Sequence, residues 1–396
     1  LKEEDVMSKR SFLGVAGAAL ALLVATAPVQ AQGRIKVGEE REYSARTPAA
    51  YPSGAVDRPV AWSETVVSPG ATFLRVHFQK MDLPDGDFLT VASPDGKDFW
   101  TYTAKGPRGT GEFWSFVVEG DTAQVELHSG IRQIVDKAAR WGVVIDRIAH
   151  GMLPAYDDSP ILKSLCGTDG RENVACHTNV NVNPVARLSF QSGGSSFLCT
   201  GWLVNGANNS TMFTNNHCFT TQTEVNTVQA RFNYQRTTCT GTTTATTTTY
   251  NGGTFLKTNS SLDYTLFTLL GNPEGTWGEY TATSKTPVVG MALNFPQHSG
   301  GNLKTIAYWK DSAHTLRCDV STVNATYGGS ASGSQVGYSC DSEGGASGSP
   351  IIDAGTGRVI GLHHFGNVST TQCLNSATQL KNICANAGTL ISCATN

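Results

Sequence analysis

All ten cysteines of this 396-residue chain lie between Cys166 and Cys393, and none precedes them. An even count confined to one stretch reads as up to five disulfides formed in an oxidising compartment. Charge changes at the same place. Of 29 Lys+Arg and 32 Asp+Glu, eleven of each lie from Cys166 onward. The chain is therefore read as two folding units, one charged and cysteine-free, the other neutral and cysteine-rich. Metal binding is the rival use of cysteine, but there is no C-x-x-C pair and no His/Cys cluster at zinc spacing. No metal and no organic cofactor is expected. A net charge of −3 gives no reason to expect nucleic acid or another polyanion as a partner.

Residues 7–31 have the pattern of a secretory signal. Lys9 and Arg10 give a positive start, Phe12 to Ala27 is apolar, and Val29-Gln30-Ala31 places small residues at the cleavage positions. The run is too short and too alanine-rich for a membrane span. A secreted protein with no membrane association after cleavage is expected.

Residues 32–165 are expected to be a β-rich propeptide or accessory domain ending in a linker. Thr72 to Phe78, Phe88 to Val91, Phe99 to Tyr102 and Phe113 to Val118 are short β-type runs, separated by turns at Asp85-Gly86 and Ser93-Pro94-Asp95-Gly96. Their spacing suggests a small β-sandwich. Ile131 to Arg140 reads as a short helix and Trp141 to Ile148 as a last strand. The linker, 150–165, carries two prolines and an acidic pair, and Lys163-Ser164 is one candidate processing bond. Residues 166–396 hold many short apolar strands among Gly, Ser, Thr and Asn, the pattern of an all-β barrel or sandwich. The threonine-rich run Thr237 to Thr249 reads as a solvated hairpin or loop.

The chemistry concentrates in this second unit. Ser347 lies in Gly345-Ala346-Ser347-Gly348-Ser349-Pro350. A serine among small residues can occupy a tight turn where backbone N–H groups converge. Gly345 and Ser347 are the candidate donors of an oxyanion hole. A serine hydroxyl also needs a base and a group that orients the base. His217 ends the segment Thr211-Met212-Phe213-Thr214-Asn215-Asn216 and precedes Cys218, which can pair with Cys199 and fix the imidazole mount. Six aspartates lie in the unit, and Asp263, at the mouth of the strand Tyr264 to Leu269, is the candidate orienter.

Thr214-Asn215-Asn216-His217-Cys218, Leu262-Asp263-Tyr264-Thr265-Leu266 and Gly344-Gly345-Ala346-Ser347-Gly348-Ser349-Pro350 resemble, in order and spacing, the three motifs of chymotrypsin-like serine peptidases. Within these the chain is most similar to the bacterial lysyl endopeptidase group, over roughly Cys166 to Cys384. The resemblance implies two six-stranded antiparallel β-barrels with the active site between them, preceded by a prosegment. It implies a secreted preproenzyme that hydrolyses peptide bonds of protein or peptide substrates through His217, Asp263 and Ser347. It also implies the bridges Cys199–Cys218, Cys176–Cys239 and Cys166–Cys373, which leaves Cys318–Cys340 and Cys384–Cys393. A monomer is expected, with the prosegment acting as intramolecular chaperone or inhibitor.

The chain departs from the pattern in two places. Ala346 stands where animal trypsins have an aspartate that pairs with the new N-terminus. Counting from Ser347, the lysine-selecting aspartate of the lysyl endopeptidases falls at Thr378. Asp341 and Glu343 are the remaining acidic candidates for the specificity pocket, and Asp341 has the alternative reading of a structural loop residue. His363 resembles the histidine that the group places beside its base and is a candidate wall of the site. A trypsin-fold binding protein without catalysis is the alternative function.

Overall fold

The computed structural model describes residues 34–49, 51, 60–129, 141–154, 163–366, 368–369 and 373–395. The signal segment 7–31, the short helix expected over 131–140 and the linker residues 155–162 lie outside the described residues.

The N-terminal unit comprises β1 (Ile35–Arg46), β2 (Val60–Val67), β3 (Phe73–Asp82), β4 (Phe88–Ala92), β5 (Phe99–Thr103), β6 (Phe113–Trp114), β7 (Val118–Glu119), β8 (Thr122–His128) and β9 (Gly142–Gly151). One sheet runs β1-β9-β3-β6, with β7 also on β3; the other runs β2-β8-β4-β5. Leu74, Val76 and Phe78 of β3 face Leu89, Val91, Val125 and Leu127 of the second sheet in one core. Alternation along β3 and β8 supplies these inward residues. The run Phe113 to Val118, expected as one strand, is broken. The Ser115 N–H still donates to the Val76 carbonyl, but the return bond from the Val76 N–H goes to Ser115 Oγ in place of its carbonyl.

The second unit begins with β10 (Lys163–Ser164) and β11 (Arg171–Asn173). Six strands follow: β12 (Val185–Ser192), β13 (Ser195–Leu203), β14 (Thr211–Thr214), β15 (Gln229–Phe232), β16 (Thr248–Asn259) and β17 (Tyr264–Leu269). They pair in the order β12-β15-β16-β17-β14-β13, and β13 returns to β12, so an antiparallel barrel closes on itself. Leu188, Phe190, Met212, Phe232 and Phe267 fill it.

The last part holds β18 (Ala282–Thr283), β19 (Leu293–Gln297), β20 (Thr305–Ala307), β21 (Val320–Ala325), β22 (Gln335–Tyr338), β23 (Ser342–Glu343), β24 (Pro350–Asp353), β25 (Val359–Phe365), β26 (Asn375–Gln379) and β27 (Cys393–Ala394). Its central order is β19-β24-β25-β26-β22-β21. Here the ring closes through a short bridge rather than a ladder. Ala292 pairs with Asp319, and the Leu293 N–H donates to the Cys318 carbonyl at 2.8 Å. Trp202, Phe213 and Leu266 of the first barrel pack with Leu362 of the second and with Leu380 and Ile383 of the C-terminal helix Leu380–Ala387, and this shared core fixes the barrels to each other.

The structure joins Cys166–Cys373, Cys176–Cys239, Cys199–Cys218, Cys318–Cys340 and Cys384–Cys393. The two units have separate cores, yet one sheet runs through both. β1 pairs with β9 on one side and with β13 on the other. Lys163-Ser164, read as a candidate processing bond, lies in β10 and pairs with Glu343 and Ser342 of β23.

Candidate active site

The site is assembled where β14 and β17 end and the Ser347 loop crosses them. β14 and β17 run side by side, Thr214 opposite Thr265, so the residues just beyond each strand meet. Asp263 stands in the turn before β17 with φ +45°, a left-handed conformation that aspartate tolerates better than most residues. Its main-chain carbonyl accepts from Asn215 Nδ2 at 2.8 Å. Its carboxylate accepts the His217 backbone N–H on Oδ1 at 2.9 Å and meets His217 Nδ1 through Oδ2 at 2.7 Å. Two bonds to one residue fix both the placement and the tautomer of the ring. With Nδ1 donating, Nε2 carries the lone pair, and it has no hydrogen-bond partner among the described residues.

Behind His217 the Cys199–Cys218 disulfide ties the loop to β13. The Cys218 N–H donates to the Asn215 carbonyl, and Phe219 packs edge-on to Phe190 and Phe267 in the barrel core. The neighbouring Thr200 connects this mount to the serine loop. Its N–H donates to the Ser347 carbonyl at 2.8 Å and its Oγ1 to the Gly345 carbonyl at 2.8 Å. Gly345 and Gly348 have φ +88° and +89°, the region in which glycine costs least. A Cβ on Gly348 would lie 2.2 Å from the Thr200 carbonyl oxygen. The Gly345 N–H has no partner among the described residues, as a donor held for an incoming oxyanion requires. Ser347 is fully buried in the uncut chain.

His364 is the residue that the sequence reading missed. Its Nδ1 lies 3.1 Å from Asp263 Oδ2 and its Nε2 2.5 Å from Gln335 Oε1. Burial pushes the Asp263 carboxyl up, but the charge and hydrogen bonds of His217 and His364 outweigh it and hold the group well below the ordinary carboxylate range. Burial lowers His364, against the pull of the same carboxylate. Asn216, His217, Asp263 and His364 line an open crevice of about 270 Å³.

His363, Thr378 and Asp341 sit in three different surroundings. His363, read as a wall of the site, points the opposite way from His364. Successive strand residues face opposite sides of a sheet, and His363 enters the second barrel, with Nδ1 2.6 Å from Tyr338 Oη and its ring against Phe295. Thr378 is buried in β26 opposite Leu362 and Gln335, and its hydroxyl accepts from Gln335 Nε2 at 3.3 Å. Asp341 takes the structural alternative. It is buried and accepts the N–H groups of Cys166 and Gly170 at 2.6 and 2.7 Å, tying the start of the second unit to the serine loop. Burial raises its pKa against those two bonds. Glu343 is also engaged, 2.9 Å from Arg171 Nη1. No group of three or more His, Cys, Asp or Glu that could hold a metal occurs among the described residues.

Two packed antiparallel β-barrels with a histidine, an aspartate and a glycine-flanked serine loop at their junction define a trypsin-fold serine peptidase. Residues 167–381 match the family described as lysyl endopeptidase, C-terminal domain, and the chain belongs to that family. It is 28% identical to the secreted RxLR effector protein 73 of Plasmopara viticola, over 76% of each chain. It is 27% identical to a lysyl endopeptidase of Pseudomonas aeruginosa, over 70% of this chain and 61% of that protein, so it spans about three fifths of that relative's length. Among solved structures it is similar to a Glu endopeptidase in complex with MPD (20% identity, 56% of this chain and 96% of that one, TM-score 0.40). It is also similar to the active form of the Rv3671c protease from M. tuberculosis (14% identity, 55% and 84%, TM-score 0.41).

Proposed function

We propose that this chain is a secreted serine endopeptidase made as a preproenzyme, with residues 7–31 as signal peptide, 32–165 as prosegment and 166–396 as peptidase. The observation that carries the reading is the double attachment of His217 to Asp263, which leaves Nε2 without a partner among the described residues and able to act as a base. In this reading Nε2 takes the Ser347 proton as Oγ attacks the scissile carbonyl, forming the C–O bond of a tetrahedral intermediate. The N–H groups of Gly345 and Ser347 bind its oxyanion. The imidazolium, stabilised by Asp263, then gives the proton to the leaving amine as the C–N bond breaks, and water repeats the sequence on the acyl-enzyme. Five disulfides suit an extracellular protein. Asp341 and Glu343 already have partners, so neither is assigned as the receiver of a substrate cation.

The test is labelling with a serine-directed phosphonate, together with cleavage of a diverse peptide library by the processed protein. An adduct on Ser347 that disappears in Ser347→Ala, with peptide cleavage, is expected. A processed, folded protein that takes no label and cleaves nothing is instead a catalytically silent binding protein.

A further inference from the structure

The edge of β13 beside His217 is occupied in the uncut chain, and its occupant is the chain's own strand β1. β1 lies antiparallel to it, with Ile35 opposite Leu198, Lys36 opposite Phe197, Gly38 opposite Ser196 and Glu39 opposite Ser195. Leu198 immediately precedes Cys199, whose disulfide holds the His217 loop. The start of β1 therefore lies at the catalytic end of β13. Arg34 anchors it there. Its Nη1 donates to the Cys218 carbonyl at 3.0 Å, and its guanidinium lies 4.0 Å from the centre of the Phe197 ring. Ile35 reaches the serine loop, its Cδ1 3.3 Å from where a Cβ on Gly345 would stand. An isoleucine thus covers the residue proposed to bind the oxyanion, and Ser347 is fully buried.

We infer that β1 is an inhibitory strand, which fills by strand addition the groove that an extended substrate must enter next to Ser347, and which stays there after the linker is cut. The inference rests on the reading of Ser347 as nucleophile. An extended peptide recognised at a sheet edge is held by main-chain hydrogen bonds, and an edge already paired with β1 cannot pair with substrate. Retention follows from contacts far from the cleft. Buried Arg75 of β3 donates to the Thr227 carbonyl at 3.0 Å. Arg108 donates to the carbonyls of Gly252 and Gly253. The Val117 N–H donates to Gln229 Oε1, and Glu119 lies 3.5 Å from Arg231. Several attachments on one rigid unit keep the strand at high effective concentration once the covalent link is gone.

The test uses the full chain with a site-specific protease sequence placed within 155–162. After cutting, the two pieces are expected to elute together. The complex is expected to hydrolyse an internally quenched peptide, extended on both sides of the scissile bond, at below about a hundredth of the rate of the stripped peptidase unit, as about 3 kcal/mol of competing binding gives. Arg34→Ala removes the hydrogen bond to Cys218 and is expected to raise the rate of the cut complex about tenfold to a hundredfold. Gly38→Val is the second variant. Its Cβ would stand 2.7 Å from the His150 carbonyl oxygen of β9 and 3.1 Å from Ser196 Oγ of β13, so β1 cannot keep its place between the two strands, and the same direction is expected. The proposal is overturned if the pieces part on cutting, if the cut complex equals the stripped unit in rate, or if both variants leave its rate unchanged. A stripped unit that neither cleaves peptide nor takes a phosphonate on Ser347 overturns the peptidase reading itself.

Discussion

The two units of this chain hold their folds by different means. The N-terminal sandwich has a single apolar core, no cysteine and most of the charge. The double barrel has five disulfides and packs its two halves through a shared core around Trp202, Phe213 and Leu362. Disulfides act mainly by restricting the unfolded chain, so they protect a fold whatever its surroundings. A sandwich without them depends on its core and on its neighbour. The comparison assigns chemistry and persistence to the second unit, and docking to the first.

The largest effect that could break this comparison is on turnover. In the processed protein Ser347→Ala is expected to lower kcat about a millionfold, and Asp263→Asn about ten-thousandfold because the imidazole would take the wrong tautomer. Initial rates on a cleaved peptide measure both. An Asp146→Ala change in the sandwich is expected to leave kcat of the processed unit untouched. Asp146 is absent from the processed unit, so a loss of turnover there would mean that the sandwich guides the folding of the barrels.

Stability separates the units next. In Ser347→Ala full-length chain, mild reductant is expected to lower the unfolding transition of the barrels and leave that of the sandwich in place. Opening the Cys166–Cys373 bridge, which closes 207 residues, should cost about 5 kcal/mol, and Cys199–Cys218, which closes 19, about 3 kcal/mol. Calorimetry with and without reductant checks this. Transitions that move together would show that the continuous sheet through β1 and β13 makes one cooperative unit of the two.

The same contrast explains what could be read from the sequence. The serine loop, the histidine and the aspartate were legible because each lies in a local motif at a strand end. The sandwich was legible from short β-type runs, such as Thr72 to Phe78, spaced by turn signals. The pairing of β1 with β13 joins residues about 160 apart in the chain and leaves no local signal, since β-pairing is non-local. His363 was read from the family resemblance, whereas His364, one strand position on, reaches Asp263, and the register of β25 against β26 shifts between His363 and Phe365. One residue of shift exchanges the faces of a strand. Asp341 stood out as an acidic residue near the serine, but the two N–H groups that it accepts come from residues 166 and 170, at the far end of the unit.

The smallest effect concerns His364 and sharpens the account of how the barrels protect their aspartate. His364→Ala removes one donor from the Asp263 carboxylate, at a cost of about 1.5–3 kcal/mol for a hydrogen bond to a charged group. The pH dependence carries the sign. A carboxyl held below its unfolded value contributes stability that is present above about pH 4 and is lost as pH falls toward the folded value. Without His364 the folded value moves up toward the ordinary one, so less of that stability exists at neutral pH and less is lost on acidification. Urea midpoints from pH 7 to pH 3, in Ser347→Ala protein with and without His364→Ala, are therefore expected to differ most at pH 7 and to converge in acid. A gap that stays constant with pH would mean that His364 acts by packing against Phe365, and not through Asp263.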